Sequence, residues 1–249
     1  MTAPALLALA HGSRDPRSAA TIAALTDSVA CMRPDLRVET AYLELAQPDP
    51  ASVIDRLVAD GYDEIVVVPL LLTHAYHAGV DIPAVLDAAR ARHTGLRILA
   101  TDVLGIQRSF LPILDARLRA ALREARATEL DGLVLAAAGS SDPLANAQIA
   151  RAARAWGAHH NLPVLAAFAS ATPPATGEAV RQLRADGKRH IAVGSLFLAP
   201  GFLPSRAAEL ALEAGAVAVS EPLGSDPEIA RVVLARYAVG AVDLVPIPV

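Results

Sequence analysis

Three side chains in the first half of the sequence carry the chemistry of an open metal site: His11, Glu44 and His77. Each stands just past a short apolar run that reads as a buried β-strand. His11 follows Leu6–Ala10, Glu44 closes Leu36–Leu43, and His77 lies in the loop after Glu64–Leu72. In parallel α/β sheets ligands bind beyond the carboxyl ends of the strands, so this placement predicts that all three gather at one sheet edge. Two imidazoles and a carboxylate suit a borderline divalent ion such as Fe²⁺, Co²⁺ or Zn²⁺. Three protein ligands leave positions open, as a transient or catalytic site requires. His74, shortly before His77, is an auxiliary candidate. Gly12-Ser13-Arg14 adds backbone N–H groups, a hydroxyl and a guanidinium fork that suit an anion such as a carboxylate. Taken singly, a strand-end or loop histidine is more often solvated or structural, and only the joint placement carries the chemical reading. The same set also fits a metal-dependent hydrolase, which would retain its ion, or a carrier that binds without turnover.

The elements that must position these residues alternate regularly. Helices are predicted over Pro16–Met32, from Pro50 to about Asp60, from Asp81 onward, and over Gln107–Ala127. Asp49-Pro50 supplies an N-cap and a proline at the first helical position, and Gly61 ends that helix. Ile65-Val66-Val67-Val68 is the clearest buried-strand run, and Leu96–Thr101 is a fourth strand. The order then starts again: strands at Leu133–Ala137, Val164–Phe168, Ile191–Phe197 and Ala216–Val219 alternate with four further helices. Eight βα units fit a (β/α)₈ barrel or two doubly wound parallel-sheet domains. Internal similarity favours two domains from a duplication. His11-Gly12-Ser13-Arg14-Asp15-Pro16 is echoed by Ala138-Gly139-Ser140-Ser141-Asp142-Pro143, and Leu104-Gly105 by Leu223-Gly224. The expected domains are therefore 1–127, with the metal site, and 128–249, without it. Ala138, Ser170 and Leu203 stand where the first half has His11, Glu44 and His77.

Composition bounds the function. The chain has 249 residues, 53% of them hydrophobic, enough for one large core or two modest ones. A net charge of -4 argues against nucleic acid as a partner. Cys31 is the only cysteine, so neither an internal disulfide nor a thiolate cluster can form. The apolar start lacks a basic leader and reads as a first strand. No apolar stretch approaches the roughly 20 residues of a membrane helix. A cytoplasmic protein without membrane partners is expected. His93, His159, His160 and His190 read as surface residues and Trp156 as core.

Three segments together resemble the sirohydrochlorin chelatase family of class II chelatases: Leu9-Ala10-His11-Gly12-Ser13-Arg14, Tyr42-Leu43-Glu44-Leu45-Ala46-Gln47-Pro48, and Pro69-Leu70-Leu71-Leu72 through His77 to Asp81-Ile82-Pro83. They occur in family order, and the resemblance spans the chain. It implies two similar α/β domains facing each other over a cleft, and a lyase that inserts Fe²⁺ or Co²⁺ into sirohydrochlorin for siroheme or cobalamin synthesis. The metal is then a substrate, and no retained cofactor is expected. The resemblance also implies that His11, Glu44 and His77 handle the metal and its displaced protons. Ser13 and Arg14 are expected to hold the carboxylate-rich macrocycle.

Overall fold

The structure, a computed structural model, describes residues 3–73 and 79–245. The elements run β1 (Ala5–Ala10), α1 (Pro16–Met32), β2 (Val38–Tyr42), α2 (Pro50–Ala59), β3 (Glu64–Pro69), α3 (Asp81–Arg92) and β4 (Arg97–Ala100). A 3₁₀ turn at Arg108–Phe110 leads into α4 (Leu111–Glu124). The pattern repeats as β5 (Gly132–Ala137), α5 (Pro143–His160), β6 (Val164–Phe168), α6 (Thr176–Ala185), β7 (Ile191–Ser195), α7 (Phe202–Glu213), β8 (Ala218–Val219) and α8 (Pro227–Asp243).

Four helices begin with the same dipeptide. Asp15, Asp49, Asp142 and Asp226 each accept a backbone N–H of the first turn, and the proline that follows occupies a position whose missing N–H has no partner to lose. The strands form two four-stranded parallel sheets, ordered β2-β1-β3-β4 and β6-β5-β7-β8. The barrel alternative is thereby excluded. β1 and β3 lie at the centre of their sheet with no more than 4% exposure from Ala5 to Ala10 and none from Ile65 to Val68. Their unbroken apolar runs follow from cover on both faces.

That need for cover decides how the chain is divided. In the first sheet, Leu7, Leu9, Ile65 and Val67 pack under Val53, Ile54 and Leu57 of α2 and Ile82, Leu86 and Ala89 of α3. The opposite face, reached by the alternate residues Leu6, Ala8 and Val66, is covered by α1 and α8, which pack on each other while α8 lies on β3. The second sheet is served the same way: α6 and α7 close one face, while α5 and α4 close the other, with Trp156 and Leu114 both against Gly194 of β7. The compact units therefore do not follow the repeat boundary at 127. The helix expected over Gln107–Ala127 belongs with the second sheet, and α8 belongs with the first; the chain passes between units after Gly105 and again after Gly224. Sequence similarity tracks the strands and turns, whereas the covering helix of each bare face comes from the other half.

The tie of α8 to the first unit is specific. Tyr237 is buried, and its hydroxyl donates to the Pro4 carbonyl at 2.7 Å. Burial pushes the phenol above its ordinary pKa. The folded state thus favours the neutral phenol, and this contribution is complete below the unfolded value of about 10 and fades as pH rises through the folded one. Tyr237→Phe should lower stability by about 1 kcal/mol at neutral pH, read from urea midpoints. It should also make the fall in stability above pH about 10 shallower than in the parent. Identical alkaline slopes in the two proteins would show that this phenol does not anchor the helix.

Candidate metal site

His11 and Glu44 leave neighbouring strands at one edge. β1 and β2 pair in parallel register up to Ala10 and Tyr42, and the ladder continues beyond them. The Leu43 N–H donates to the Ala10 carbonyl and the Glu44 N–H to the His11 carbonyl, both at 2.9 Å. The two backbones are still at strand spacing where the side chains depart, and Nδ1 of His11 lies 3.4 Å from Oε1 of Glu44. Two donors bound to a tetrahedral ion at about 2.0–2.1 Å stand about 3.3 Å apart. The pair is therefore spaced to share an ion as it stands. The side chains keep 42% and 51% of their exposure, while Nδ1 of His11 itself is turned away from solvent.

The turn that permits this approach needs a residue without a side chain. Gly12 has φ +102°, and a Cβ there would sit 1.7 Å from the Glu44 carbonyl oxygen. The second unit repeats the turn: Gly139 has φ +84°, a Cβ on it would lie 2.2 Å from the Ser170 carbonyl oxygen, and the Ser170 N–H donates to the Ala138 carbonyl at 2.9 Å. The hydroxyl of Ser170 donates to that same carbonyl. The scaffold recurs with neither imidazole nor carboxylate.

Ser13 and Arg14 stand at the same turn. The hydroxyl of Ser13 accepts the Asp15 N–H at 3.1 Å, as Ser140 accepts that of Asp142. An oxygen that accepts in this way keeps its own proton to donate. The first-turn N–H of Arg17 is taken by Asp15, whose carboxylate is held below its ordinary pKa chiefly by the Arg17 guanidinium. The α1 terminus thus offers an incoming anion less than a bare helix end would. Arg14 is exposed just before it. His77 and the auxiliary His74 lie outside the described residues.

Sequence reasoning missed one polar cluster in the second unit. Asp115, 6% exposed, accepts the indole N–H of the fully buried Trp156 at 2.7 Å, and Nε2 of His160 stands 2.7 Å from the same oxygen. His160 is thus no ordinary surface residue, although His159 beside it is largely exposed. The available signal was an acid on the apolar stripe of α4, next to Leu114 and before Leu118.

Gly12→Ala and Gly139→Ala should each destabilise the protein by roughly 2–4 kcal/mol in urea, since both combine a left-handed φ with a backbone clash. Only Gly12→Ala should also weaken Co²⁺ binding at His11, followed through the visible d–d bands of the ion. Unchanged cobalt affinity in a folded Gly12→Ala protein would mean that the turn does not set the pair.

The chain matches the CbiX family over residues 5–121 and 132–239. Sirohydrochlorin cobaltochelatase of Priestia megaterium is 29% identical over 154 residues, which is 60% of this chain and 49% of that protein. Sirohydrochlorin ferrochelatase of Bacillus subtilis (strain 168) is 30% identical over 142 residues, 56% of this chain and 52% of that one. The chain spans about half the length of these curated relatives in the matches. Among solved structures, SirB from Bacillus subtilis with Fe³⁺ has a TM-score of 0.79 at 24% identity, covering 97% of this chain and 96% of that one. The structure of CbiX, the terminal enzyme for siroheme biosynthesis in denitrifying bacteria, has a TM-score of 0.67 at 23% identity, covering 95% and 99%. These likenesses establish a shared fold of two similar α/β halves. By the extent of the family match and by this fold, the chain belongs to the CbiX family.

Proposed function

We propose that this protein is a metal chelatase that inserts Fe²⁺ or Co²⁺ into sirohydrochlorin, in the cytoplasm, for siroheme or cobalamin synthesis. The observation that carries the reading is the 3.4 Å His11–Glu44 pair at the sheet edge of one unit. Its equivalents in the other unit, Ala138 and Ser170, hold no ligand chemistry. The activities named for the relatives from Priestia megaterium and Bacillus subtilis support the substrate class. Among the described residues no helix is long and apolar enough to cross a membrane.

The chemistry needed is modest and matches the groups present. A divalent ion entering the macrocycle displaces two pyrrole protons, so the protein must present the ion on one face and receive protons. His11 in its neutral form binds the ion or takes a proton, one role excluding the other at the same nitrogen. Glu44 balances the charge of the ion and passes protons to water from its exposed position. His77 completes the donor set in this proposal. Ser13 and Arg14 beside the pair bind macrocycle carboxylates. A half-exposed pair suits release of the ion, because a closed four-ligand site would retain it.

The test is an anaerobic spectral assay of sirohydrochlorin with Fe²⁺ or Co²⁺. The parent protein should metalate the macrocycle over many turnovers with either ion, whereas protoporphyrin, poorer in carboxylates, should react slowly. His11→Ala and His77→Ala should each lower the rate about 100-fold or more, and Glu44→Gln about tenfold. Ser170→Ala should leave it within about twofold, since its hydroxyl is spent on the Ala138 carbonyl and offers no base for proton transfer. A stoichiometric spectral change without turnover would indicate a carrier, and a tightly retained ion with hydrolytic activity would indicate a hydrolase. A large loss in Ser170→Ala would show that the second unit shares the chemistry.

A further inference from the structure

We infer that the second unit carries a separate site for a borderline divalent cation, formed by Asp115, His159 and His160. One ligand atom from each lies within 4.8 Å of the other two. Nε2 of His160 is 2.7 Å from Oδ1 of Asp115, and Nε2 of His159 is 3.9 Å from Oδ2. These spacings bracket the separation of about 3.3 Å between donors on a tetrahedral ion, so small side-chain rotations bring all three onto one metal. Two imidazole nitrogens and one carboxylate oxygen are the donors that Zn²⁺, Co²⁺ and Ni²⁺ prefer.

The surroundings favour a cation over a bare hydrogen-bonded clasp. Asp115 is held by the indole N–H of Trp156 on Oδ1. That fixes the carboxylate and leaves Oδ2 directed toward His159, the arrangement by which an outer partner orients a ligand. Both histidines occupy the last turn of α5, where the helix end presents partial negative charge. The buried carboxylate, with no lysine or arginine among its bonded partners in the described residues, adds to that field. The side chain of His159 is 66% exposed and that of Asp115 8%, so the site opens to water on one side, where a fourth ligand enters. An ion bound at Nε2 of His160 would replace the hydrogen bond between that nitrogen and Oδ1 of Asp115. Bound metal would join α4 to the end of α5, two helices that cover the same sheet face.

Trp156 is the only tryptophan in the chain, and its indole N–H bonds the carboxylate of this site. Intrinsic fluorescence is therefore a direct readout. Ni²⁺ or Co²⁺ titrated into the full protein should quench the emission along a saturable curve, and excess Zn²⁺ should restore it. His159→Ala, on an exposed side chain that folding does not need, should shift the quenching midpoint upward about tenfold or more, and His160→Gln further. The His11→Ala and Glu44→Gln proteins should titrate as the parent does, whatever their metalation rates. The inference is overturned if the parent emission shows no saturable quenching, or if His159→Ala and His160→Gln titrate like the parent. It is equally overturned if quenching disappears in the His11→Ala protein. Loss of metalation with quenching intact would remove only the first site's role, so the two readings fail separately.

Discussion

The hydrogen bond from the Glu44 N–H to the His11 carbonyl sits one step beyond the last regular pair of β1 and β2. Strand pairing normally ends where the chains diverge into their helices. Here it persists for two residues, and the imidazole and carboxylate inherit the spacing of a sheet. Chains that near each other leave no room for a Cβ at Gly12, and the required φ lies in the region where glycine is at ease. Leucine is not at ease there, yet Leu45 takes φ 61° directly after the glutamate. The site is thus held by backbone geometry, and its two side chains are passengers of that geometry.

The second unit gives a control within the same molecule. Ala171 has φ 66° where Leu45 has 61°, Gly139 repeats Gly12, and the ladder bond from Ser170 repeats that from Glu44. Left-handed residues near a ligand site are often taken as signs of function. Their presence in the half that lacks the imidazole and the carboxylate shows that this strain belongs to the turn. The edges share their backbone and differ in side chains, His11, Glu44 and Arg14 against Ala138, Ser170 and Ser141.

Much of this was legible from the residues. Strand runs such as Ile65–Val68, the Asp49-Pro50 start and the stop at Gly61 are local signals, and the structure places elements where they point. His11 and Glu44 were legible because strand ends in parallel sheets face a common edge. The division of the chain was not. Nothing in the leucine spacing of α4 states which sheet it will cover, because the apolar stripe is the same for either. That choice depends on which face remains bare after α1, α2 and α3 are seated. The Asp115–Trp156–His160 cluster was hidden for a related reason: its members lie on two helices that become neighbours only through the second sheet. One acid on an apolar stripe says that a partner exists without saying where.

The exchange of covering helices also orders events in time. As the chain emerges from a ribosome, β1 to β4 appear first, with α1, α2 and α3 available to them. The face formed by Leu6, Ala8 and Val66 then waits for its second helix. The whole stretch from α4 to β8 must be made before α8 follows. The inserted unit, contiguous in sequence, receives all its elements without such a gap. The unit begun first is accordingly completed last, and its waiting apolar face is the part of the nascent protein most exposed to wrong partners.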